Sequence, residues 1–522
     1  MSQKFSRSTI QTRRNFIKLA SGGAMANVAF TNRLTINRVM ADGPSIPPTG
    51  GYKALVCLIF NGGLDSFSVL TPFGTTQSDP RYAEYASTRT ELALKRTAAW
   101  DGAWTGTDYG YLNPIVDSSA AGGTGRTFGL HPRFTYLKQI YDSGHATFVA
   151  NCGVLVDPLA NNDDYNNAAK IKPVNLYSHA DQLRHWQTAK PTLRSQATTG
   201  WAGRMIDLFI DPAAGQSNIF SAISVAGQSL LLSGNRTIPY PISSVLNTNP
   251  PINGGAVSLV GATSPTTTAY DRIYSKSLNG FANQSYSNVL ERTIRNNRAD
   301  ARIAAENFQT AFSNTNSQLP PAPAVQFSTS GIGASLSSVA RAISLASDPA
   351  AVAPLRQERQ IFVVQSTGWD HSLNGLSSMN SGIPGIDAGL KAFYDFLVSK
   401  SLLDKVTLFS LSEFGRTLVY NGSGSDHAWG GNTIIMGGAI NGLPASNRIW
   451  GQYPNLAIDT SGTGIDRGSG RLIPQTSSDL YHGELCRWFG VPDSRLAEIL
   501  PNIGNFPYQG GTRPVGFMNG SG

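Results

Sequence analysis

The sequence predicts an α/β protein built on a doubly wound, mostly parallel sheet with helices on both faces. Near-continuous apolar runs recur along the chain, as in strands that are buried on both sides. Segments with a helical spacing of apolar residues lie between these runs. Strands that alternate with helices are typical of a mostly parallel sheet. Only 14% of the residues are charged, and the 54 Gly and 29 Pro indicate a loop-rich globular chain.

Residues 1–41 predict an export signal. Arg13 and Arg14 precede a modestly apolar stretch that runs to Phe30, and "VMA" at 39–41 offers a small-residue cleavage site. This arrangement is typical of twin-arginine (Tat) signal peptides, and a basic amphipathic helix is the alternative. We therefore expect a periplasmic or secreted protein whose partner during export is the Tat translocon.

The charge and hydropathy of the chain argue against two classes of partner. Residues 1–41 contain seven Lys and Arg and no acidic residue, so their removal lowers the formal net charge from +8 to about +1 (8 − 7). A nearly neutral protein gives no reason to expect nucleic acid as a partner. The apolar stretch near the N-terminus is too short and too interrupted to span a bilayer, so we expect no stable membrane anchor.

The secondary-structure elements begin after a Pro- and Gly-rich linker at 42–52. Continuous apolar runs such as "ALVCLIF" predict buried strands, and apolar residues that return every three or four positions predict helices. The predicted strands are 54–60, 146–152, 359–366, 405–411 and 432–438. The predicted helices are 131–144 and 178–189, with two more that include 386–397 and 481–488.

Residues 53–522 are expected to form one large α/β domain that carries an insertion or cap at 242–345. The first part of that segment, 242–270, is rich in Ser, Thr, Asn, Gly and Pro. Apolar residues from 290 to 312 then have the spacing of a long amphipathic helix, and a Pro-containing loop follows at 313–324.

Carboxylates and imidazoles gather where three predicted strands end. Asp65 follows the first strand, and one Asp-His pair follows each of the strands 359–366 and 405–411. In parallel sheets ligands bind beyond the carboxyl ends of the strands, and this mixture of oxygen and nitrogen ligands suits Zn²⁺ or Mn²⁺. For Asp65 alone, capping of a turn is the alternative. The candidate metal ligands are Asp65, Asp370, His371, Asp426 and His427.

Several segments together resemble an exported bacterial family known as domain of unknown function 1501. They are "LIFNGGLDSFSVLTP", "LHPRFTYLKQIYDSG", "YSHADQLRHWQTA", "GWDHS" and "SEFGRT" with the later "SDHAWGG". The resemblance runs from about residue 53 to 495, and "SEFGRT" with its Asp-His pair is its most specific part. It implies the doubly wound fold of the alkaline phosphatase/sulfatase superfamily. That superfamily uses metal ions to activate a nucleophile that attacks a phosphate or sulfate ester.

The resemblance implies roles for four residues at a first metal site. The superfamily places there an Asp after the first strand, the nucleophile and a late Asp-His pair, which correspond to Asp65, Ser178, Asp426 and His427. Ser178 has an alternative role as a helix cap, because "SHAD" is close to a capping-box pattern with Asp181. A nucleophile at a helix start would also gain from the helix dipole, which stabilises a developing anion.

The second metal site of the superfamily is matched less well. It takes an Asp with a His a few residues later and another late His, whereas Asp370 is followed at once by His371. His482 is the only late His outside the Asp-His pair, and its position off the apolar face of its helix predicts a surface residue. The expected cofactor is therefore a divalent metal, Zn or Mn, with one or two ions.

Four further side chains are candidates for the same site. Arg416 has the shape and charge to bind phosphate or sulfate oxygens, and Glu413 has a carboxylate that can accept a proton. A structural Glu413–Arg416 pair that fixes the Gly-rich loop is the alternative. His131 and His179 are possible additional ligands or donors.

Two classes of function follow from these patterns. The first is an exported, metal-assisted hydrolase of phosphate or sulfate esters carried by a small molecule or a polymer. The second is a non-catalytic exported binding or assembly protein that retains the fold, because fold alone does not decide function. Convergence of the candidate ligands on a common point would favour the hydrolase.

Overall fold

A computed structural model describes most of the chain after residue 44. The described residues are 45–193, 197–210, 220–242, 325–348, 357–441, 448–459, 461–508 and 512–519, with a few isolated positions between 285 and 295. The predicted export signal, the start of the linker and most of the predicted insertion lie outside them. No helix among the described residues is long and apolar enough to cross a membrane.

The described residues form twelve strands and eleven α-helices. The strands are β1 Lys53–Phe60, β2 Leu70–Pro72, β3 Asn113–Val116, β4 Thr127–Leu130, β5 Ala146–Gly153, β6 Ala222–Ser224, β7 Tyr240–Pro241, β8 Arg359–Ser366, β9 Val406–Ser412, β10 Gly431–Met436, β11 Ile449–Gly451 and β12 Thr476–Ser477. The helices are α1 Ser66–Val69, α2 Pro80–Arg89, α3 Ala98–Asp101, α4 Thr135–Asp142, α5 Asn162–Asn166, α6 His179–Thr188, α7 Trp201–Asp207, α8 Gly331–Ser347, α9 Gly375–Ser399, α10 Ser478–Phe489 and α11 Leu496–Ile499.

The main sheet is mixed, with mostly parallel pairs. Its strand order is β11-β5-β10-β9-β1-β8-β6-β7, and β12 pairs with β5. Only β10 is antiparallel to its neighbours, β5 and β9. The chain between β9 and β10 contains no helix, so it cannot make the crossover that a parallel strand needs. A second sheet is antiparallel, in the order β2-β4-β3.

Helices cover both faces of the main sheet, which agrees with the predicted α/β class. Alternate residues of β1 enter two different cores: Val56 and Leu58 lie on one side, and Cys57 and Ile59 on the other. The first core contains residues of α4, α8 and α9. The second contains residues of α6, α7, α10 and α11. All these strand residues have no exposed surface, which explains their continuous apolar sequence.

The end of the predicted insertion belongs to the core. Helix α8 lies within the segment predicted as an insertion or cap, except for its last two residues. Leu336, Val339 and Ile343 on α8 are fully buried in the first core. Gly389 of α9 allows close packing, since a Cβ there would lie 2.8 Å from Ile332. The boundary at 345 therefore falls inside a core helix, while 243–284 and 296–324 lie outside the described residues.

The expectation that His482 is a surface residue is wrong. Its side chain is fully buried on α10, and its ring stacks on Trp201 with centroids 4.4 Å apart. Burial lowers the pKa of His482 to about 3, so the ring is neutral. The prediction fails because α10 is buried on nearly every side, so a position off its apolar stripe still faces protein.

The buried carboxyl of Asp479 generates a prediction about stability and pH. Asp479 is fully buried in the first turn of α10, and its Oδ2 accepts the N–H of Asn502 at 3.1 Å. Burial raises its pKa from 3.8 to about 7. Between these two pH values the folded protein keeps a proton that the unfolded chain releases. The carboxyl therefore makes the free energy of unfolding fall as pH rises through this window.

Replacement of Asp479 by Asn should remove this dependence while keeping a side-chain acceptor for Asn502. We expect Asp479→Asn to gain stability relative to the wild type as pH rises from about 5 to about 8. Urea unfolding of both proteins at the two pH values measures the difference. If the two proteins differ in unfolding free energy by the same amount at both pH values, the raised pKa is contradicted.

Candidate metal centre

Two glycines bring three strand-end loops together at the carboxyl edge of the main sheet. Strand β1 lies between β8 and β9 and is parallel to both, so their ends meet. Gly62 and Gly63 follow β1 with φ of +108° and +87°, in a region that favours glycine. A Cβ at Gly62 would lie 2.4 Å from the backbone N of Asp370, and one at Gly63 would lie 2.3 Å from the ring of Phe414.

The guanidinium of Arg416 joins these loops from the inside. Arg416 is fully buried, and its Nε donates to the carbonyl of Gly63 at 2.8 Å. Its other acceptors are the carbonyls of Gly62, Trp369 and Ser425, Ser372 Oγ and Asp370 Oδ1. A guanidinium has five N–H groups, so these contacts saturate it. Arg416 therefore fixes the loops and holds one oxygen of Asp370, and it presents no free N–H to a substrate.

Three side chains converge beside this loop cluster. One ligand atom from each of His179, Asp370 and His427 lies within 4.8 Å of the other two. His179 Nε2 is 3.7 Å from Asp370 Oδ2, and the two imidazole centroids are 4.4 Å apart. His179 begins α6, Asp370 follows β8, and His427 lies in the loop after β9. We call these three residues the ligand triad.

Glu413 orients the first imidazole of the triad. Its Oε2 lies 2.5 Å from His179 Nδ1. A carboxylate only accepts hydrogen bonds, so Nδ1 carries a proton and Nε2 is the nitrogen on the side of Asp370. A carboxylate behind a histidine in this manner is the usual support of a metal-bound imidazole.

A backbone carbonyl orients the second imidazole. His427 Nδ1 lies 2.8 Å from the carbonyl oxygen of Tyr177, which can only accept, so Nε2 of His427 is again the free nitrogen. Tyr177 has a φ of 70°, a left-handed conformation that is uncommon for a residue with a side chain. Burial is the largest effect on His427 and lowers its pKa, which keeps the imidazole neutral as a ligand must be.

Asp370 presents one oxygen to the triad and uses the other to hold its position. Its Oδ1 accepts from Arg416 at 2.7 Å and from the Ser372 hydroxyl at 2.5 Å. Burial alone would raise the pKa of Asp370, but these hydrogen bonds and the guanidinium charge outweigh it and lower the pKa. The carboxylate is therefore ionised, and Oδ2 is the oxygen that lies toward His179.

The donor set fits a divalent metal ion. Two imidazoles that are each held through Nδ1, together with one ionised carboxylate, match the three protein ligands of a catalytic zinc site, which leaves a further position open. The observation that favours a metal is that both imidazoles are held through Nδ1 by an acceptor, which leaves Nε2 of each ring as the nitrogen for a metal bond.

A pocket of about 530 Å³ opens beside the triad. Its volume lies in the range of small-ligand sites. Ser372, whose hydroxyl donates to Asp370, lies in the wall of this pocket. The other lining residues are Tyr165, Tyr177, Asp426, His427, Arg467 and Arg471.

Of the ten residues predicted at the site, seven lie outside the triad, among them Asp65, His371 and His131. Asp65 is buried and forms an ion pair with the equally buried Arg89, which holds its pKa below the usual range against the opposing effect of burial. His371 is buried, with Nδ1 3.2 Å from the carbonyl of Gly375. His131 is also buried, and burial lowers its pKa to about 3. The structure does not bring these three residues to the same point as Asp370 and His427.

Ser178 and Asp426 lie near the triad with other contacts. Ser178 caps α6, because its Oγ accepts the N–H of Asp181 at 3.4 Å. That contact fits the capping alternative, and the nucleophile role of Ser178 stays a prediction. Asp426 faces the pocket and accepts from Asn421 Nδ2 at 2.8 Å. Its role as a metal ligand also stays a prediction.

The proposed structural pair of Glu413 with Arg416 is not the one that forms. Glu413 pairs with His179, and Arg416 pairs with Asp370. The sequence predicts His179 only as an additional ligand or donor, at the start of the helix that follows Ser178. No motif in the local sequence distinguishes the pocket residues Tyr165, Tyr177, Arg467 and Arg471.

Fold and site together define an α/β protein with a candidate metal centre at the carboxyl edge of its sheet. Residues 288–460 match the model of a family described as "Protein of unknown function (DUF1501)". This match includes Asp370, Glu413, Arg416 and His427 but not His179. A search of curated proteins found no match.

The support of His179 by Glu413 predicts the effect of a substitution outside the triad. In Glu413→Gln the side-chain amide can donate to Nδ1, which would move the proton of the imidazole to Nε2 and block that atom. We expect the affinity for Zn²⁺ to fall about 10- to 100-fold. Competition with a chromogenic chelator measures the affinity.

Glu498→Gln is the matched control, because Glu498 pairs with Arg495 at the surface and not with a triad residue. Its Zn²⁺ affinity should equal that of the wild type. Equal affinities in all three proteins would show that Glu413 does not support a metal ligand.

Proposed function

We propose that the protein is an exported, metal-dependent hydrolase of phosphate or sulfate esters. The observation that carries this proposal is the ligand triad, with both imidazoles held through Nδ1, beside a pocket whose wall contains two arginines. A metal centre alone does not specify a reaction. The phosphate or sulfate ester is the reacting group that the superfamily resemblance implies. The arginines favour a substrate that carries anionic groups, because guanidinium groups bind anionic oxygens well.

His179, Asp370 and His427 are the residues that would hold the ion. A divalent ion bound there supplies Lewis-acid polarisation of an ester oxygen and neutralises charge that develops on it. The chain itself keeps both imidazoles in the correct tautomer through Glu413 and Tyr177. Arg416 holds Asp370 in place.

The source of the attacking oxygen is a separate part of the proposal. Ser178 is the nucleophile that the superfamily resemblance implies, and water is the other choice. Ser178 precedes the triad residue His179, which supports its proximity, while its capping contact with Asp181 gives it a sufficient structural reason. Replacement of Ser178 by Ala distinguishes these choices, since turnover would survive only if water attacks.

The finer identity of the fold and the route of export belong to the same proposal. The mixed, mostly parallel sheet with helices on both faces is compatible with an alkaline phosphatase/sulfatase relative, and the family match supports an uncharacterised branch. Twin-arginine export into the periplasm is supported by Arg13 and Arg14 before the apolar stretch.

Metal depletion and reloading test the proposed activity. Protein stripped of metal by a chelator should not cleave aryl phosphate or aryl sulfate esters. Addition of Zn²⁺ or Mn²⁺ should restore turnover, and Fe²⁺ is included because the same donor set occurs at non-haem iron centres. Asp370→Asn should lower both bound metal and turnover by about 100-fold or more, because an amide is a weaker ligand than a carboxylate.

Asp395→Asn provides the control, since Asp395 pairs with Lys391 on α9 outside the site. It should retain metal content and turnover. Full turnover by metal-free protein would contradict metal-dependent hydrolysis. Stoichiometric metal without cleavage of either ester class would favour the non-catalytic binding protein.

A further inference from the structure

A tight hairpin places two arginines in the wall of the pocket. Asp466 and Leu472 form an antiparallel bridge, and the backbone N–H of Arg467 donates to the carbonyl of Arg471 at 2.9 Å. The carboxylate of Asp466 accepts the N–H groups of Gly468 and Gly470 at 2.8 and 2.9 Å. These contacts fix the hairpin, and the side chains of Arg467 and Arg471 line the pocket.

Each guanidinium lies over a tyrosine ring, and its contacts with the described residues use only some of its N–H donors. Arg467 lies 4.0 Å from the centroid of Tyr165, and Arg471 lies 5.6 Å from the centroid of Tyr177. One N–H of Arg467 reaches Asn162 Oδ1 at 2.9 Å. Arg471 donates its Nε–H to the carbonyl of His427 at 3.0 Å and an NH1 hydrogen to Gly468. Stacking and these few contacts orient the two guanidiniums but occupy only some of the five N–H donors of each.

Among the described residues, neither Arg467 nor Arg471 forms an ion pair with a carboxylate, for which an oxygen would have to lie within 4.0 Å. Arg416 differs, because it is buried and pairs with Asp370. Asp426 is the one carboxylate in the pocket wall, so two guanidiniums face one carboxylate and the wall is cationic.

Arg471 lies next to the metal centre without contacting its ligand atoms. Its guanidinium donates to the main-chain carbonyl of His427, whereas the ring of that residue is held through Nδ1 by the carbonyl of Tyr177. A group bound by the arginines would therefore lie beside the reacting ester, not on the ion. The role of the two arginines therefore differs from the role predicted for Arg416, which was to bind the phosphate or sulfate oxygens of the reacting ester.

We propose that Arg467 and Arg471 form a subsite for a second anionic group of the substrate. The inference rests on the proposed hydrolase and narrows its substrate class. The substrate would carry a phosphate, sulfate or carboxylate in addition to the ester that is cleaved, as in a unit of a phosphorylated or sulfated polymer. Each arginine supplies charge-assisted hydrogen bonds, and the half-buried pocket limits their screening by salt.

Binding of inorganic phosphate to metal-depleted protein tests the subsite without any catalysis. Calorimetric titration should give measurable binding to the wild type. Arg467→Gln and Arg471→Gln should each weaken it about tenfold, which corresponds to one lost charge-assisted contact. Arg126→Gln is the matched control, because Arg126 is exposed on the β3–β4 hairpin outside the pocket. Its phosphate affinity should equal that of the wild type.

Steady-state kinetics of the metal-loaded proteins test the substrate class. For an aryl phosphate that carries a ring carboxylate, both arginine variants should raise KM about tenfold. For the plain aryl phosphate, KM should change less than about twofold. Equal changes for both substrates would show that the arginines bind the reacting group, which would overturn the second-group assignment.

The outcomes separate this inference from the proposed function. Phosphate binding that is the same in the wild type and both variants would overturn the subsite, even if esters are hydrolysed. Arginine-dependent phosphate binding without metal-dependent hydrolysis would uphold an anion site and reject the hydrolase.

Discussion

The site depends on the buried guanidinium of Arg416. Three parallel strands, β1, β9 and β8, end side by side, and each continues into a loop at the same edge of the sheet. Arg416 binds carbonyls from all three loops and pairs with Asp370. A buried charge is costly unless it is paired and fully hydrogen-bonded. Loss of any one loop from this arrangement would leave donors of the guanidinium unsatisfied, so the loops are held as a unit.

That constraint connects the fold to the chemistry of the triad. Strand β8 delivers Asp370, the loop after β9 delivers Glu413 and His427, and the chain after β5 delivers Tyr177 and His179. The support contacts run between these segments, since Glu413 holds His179 and Tyr177 holds His427. Each ligand is thus positioned by an element other than its own. Such cross-support suits a site whose ligand atoms must stay at fixed separations.

Local sequence predicted the scaffold better than the site. The continuous apolar runs of β1, β8 and β9 and the glycines after β1 were sufficient to place polar loops at one edge, because strand burial and turn geometry are local properties. The antiparallel direction of β10 could not be predicted from the sequence of the strand itself, because it depends on the absence of a crossover helix between β9 and β10. The set of ligands also could not be predicted from local sequence, because His179 and its partner Glu413 are 234 positions apart. Asp65 matches the motif, but Arg89 neutralises its charge. Likewise, no pattern distinguishes a donor-saturated Arg416 from the arginines that face the pocket.

X-ray absorption at the zinc edge tests the central claim most directly, namely that His179, Asp370 and His427 hold one ion. Protein loaded with one equivalent of Zn²⁺ should show scattering from two imidazoles and one carboxylate oxygen, at about 2.0–2.2 Å from the metal. His427→Ala should remove one imidazole from that pattern. A spectrum of the wild type with only oxygen neighbours and no imidazole scattering would contradict the account.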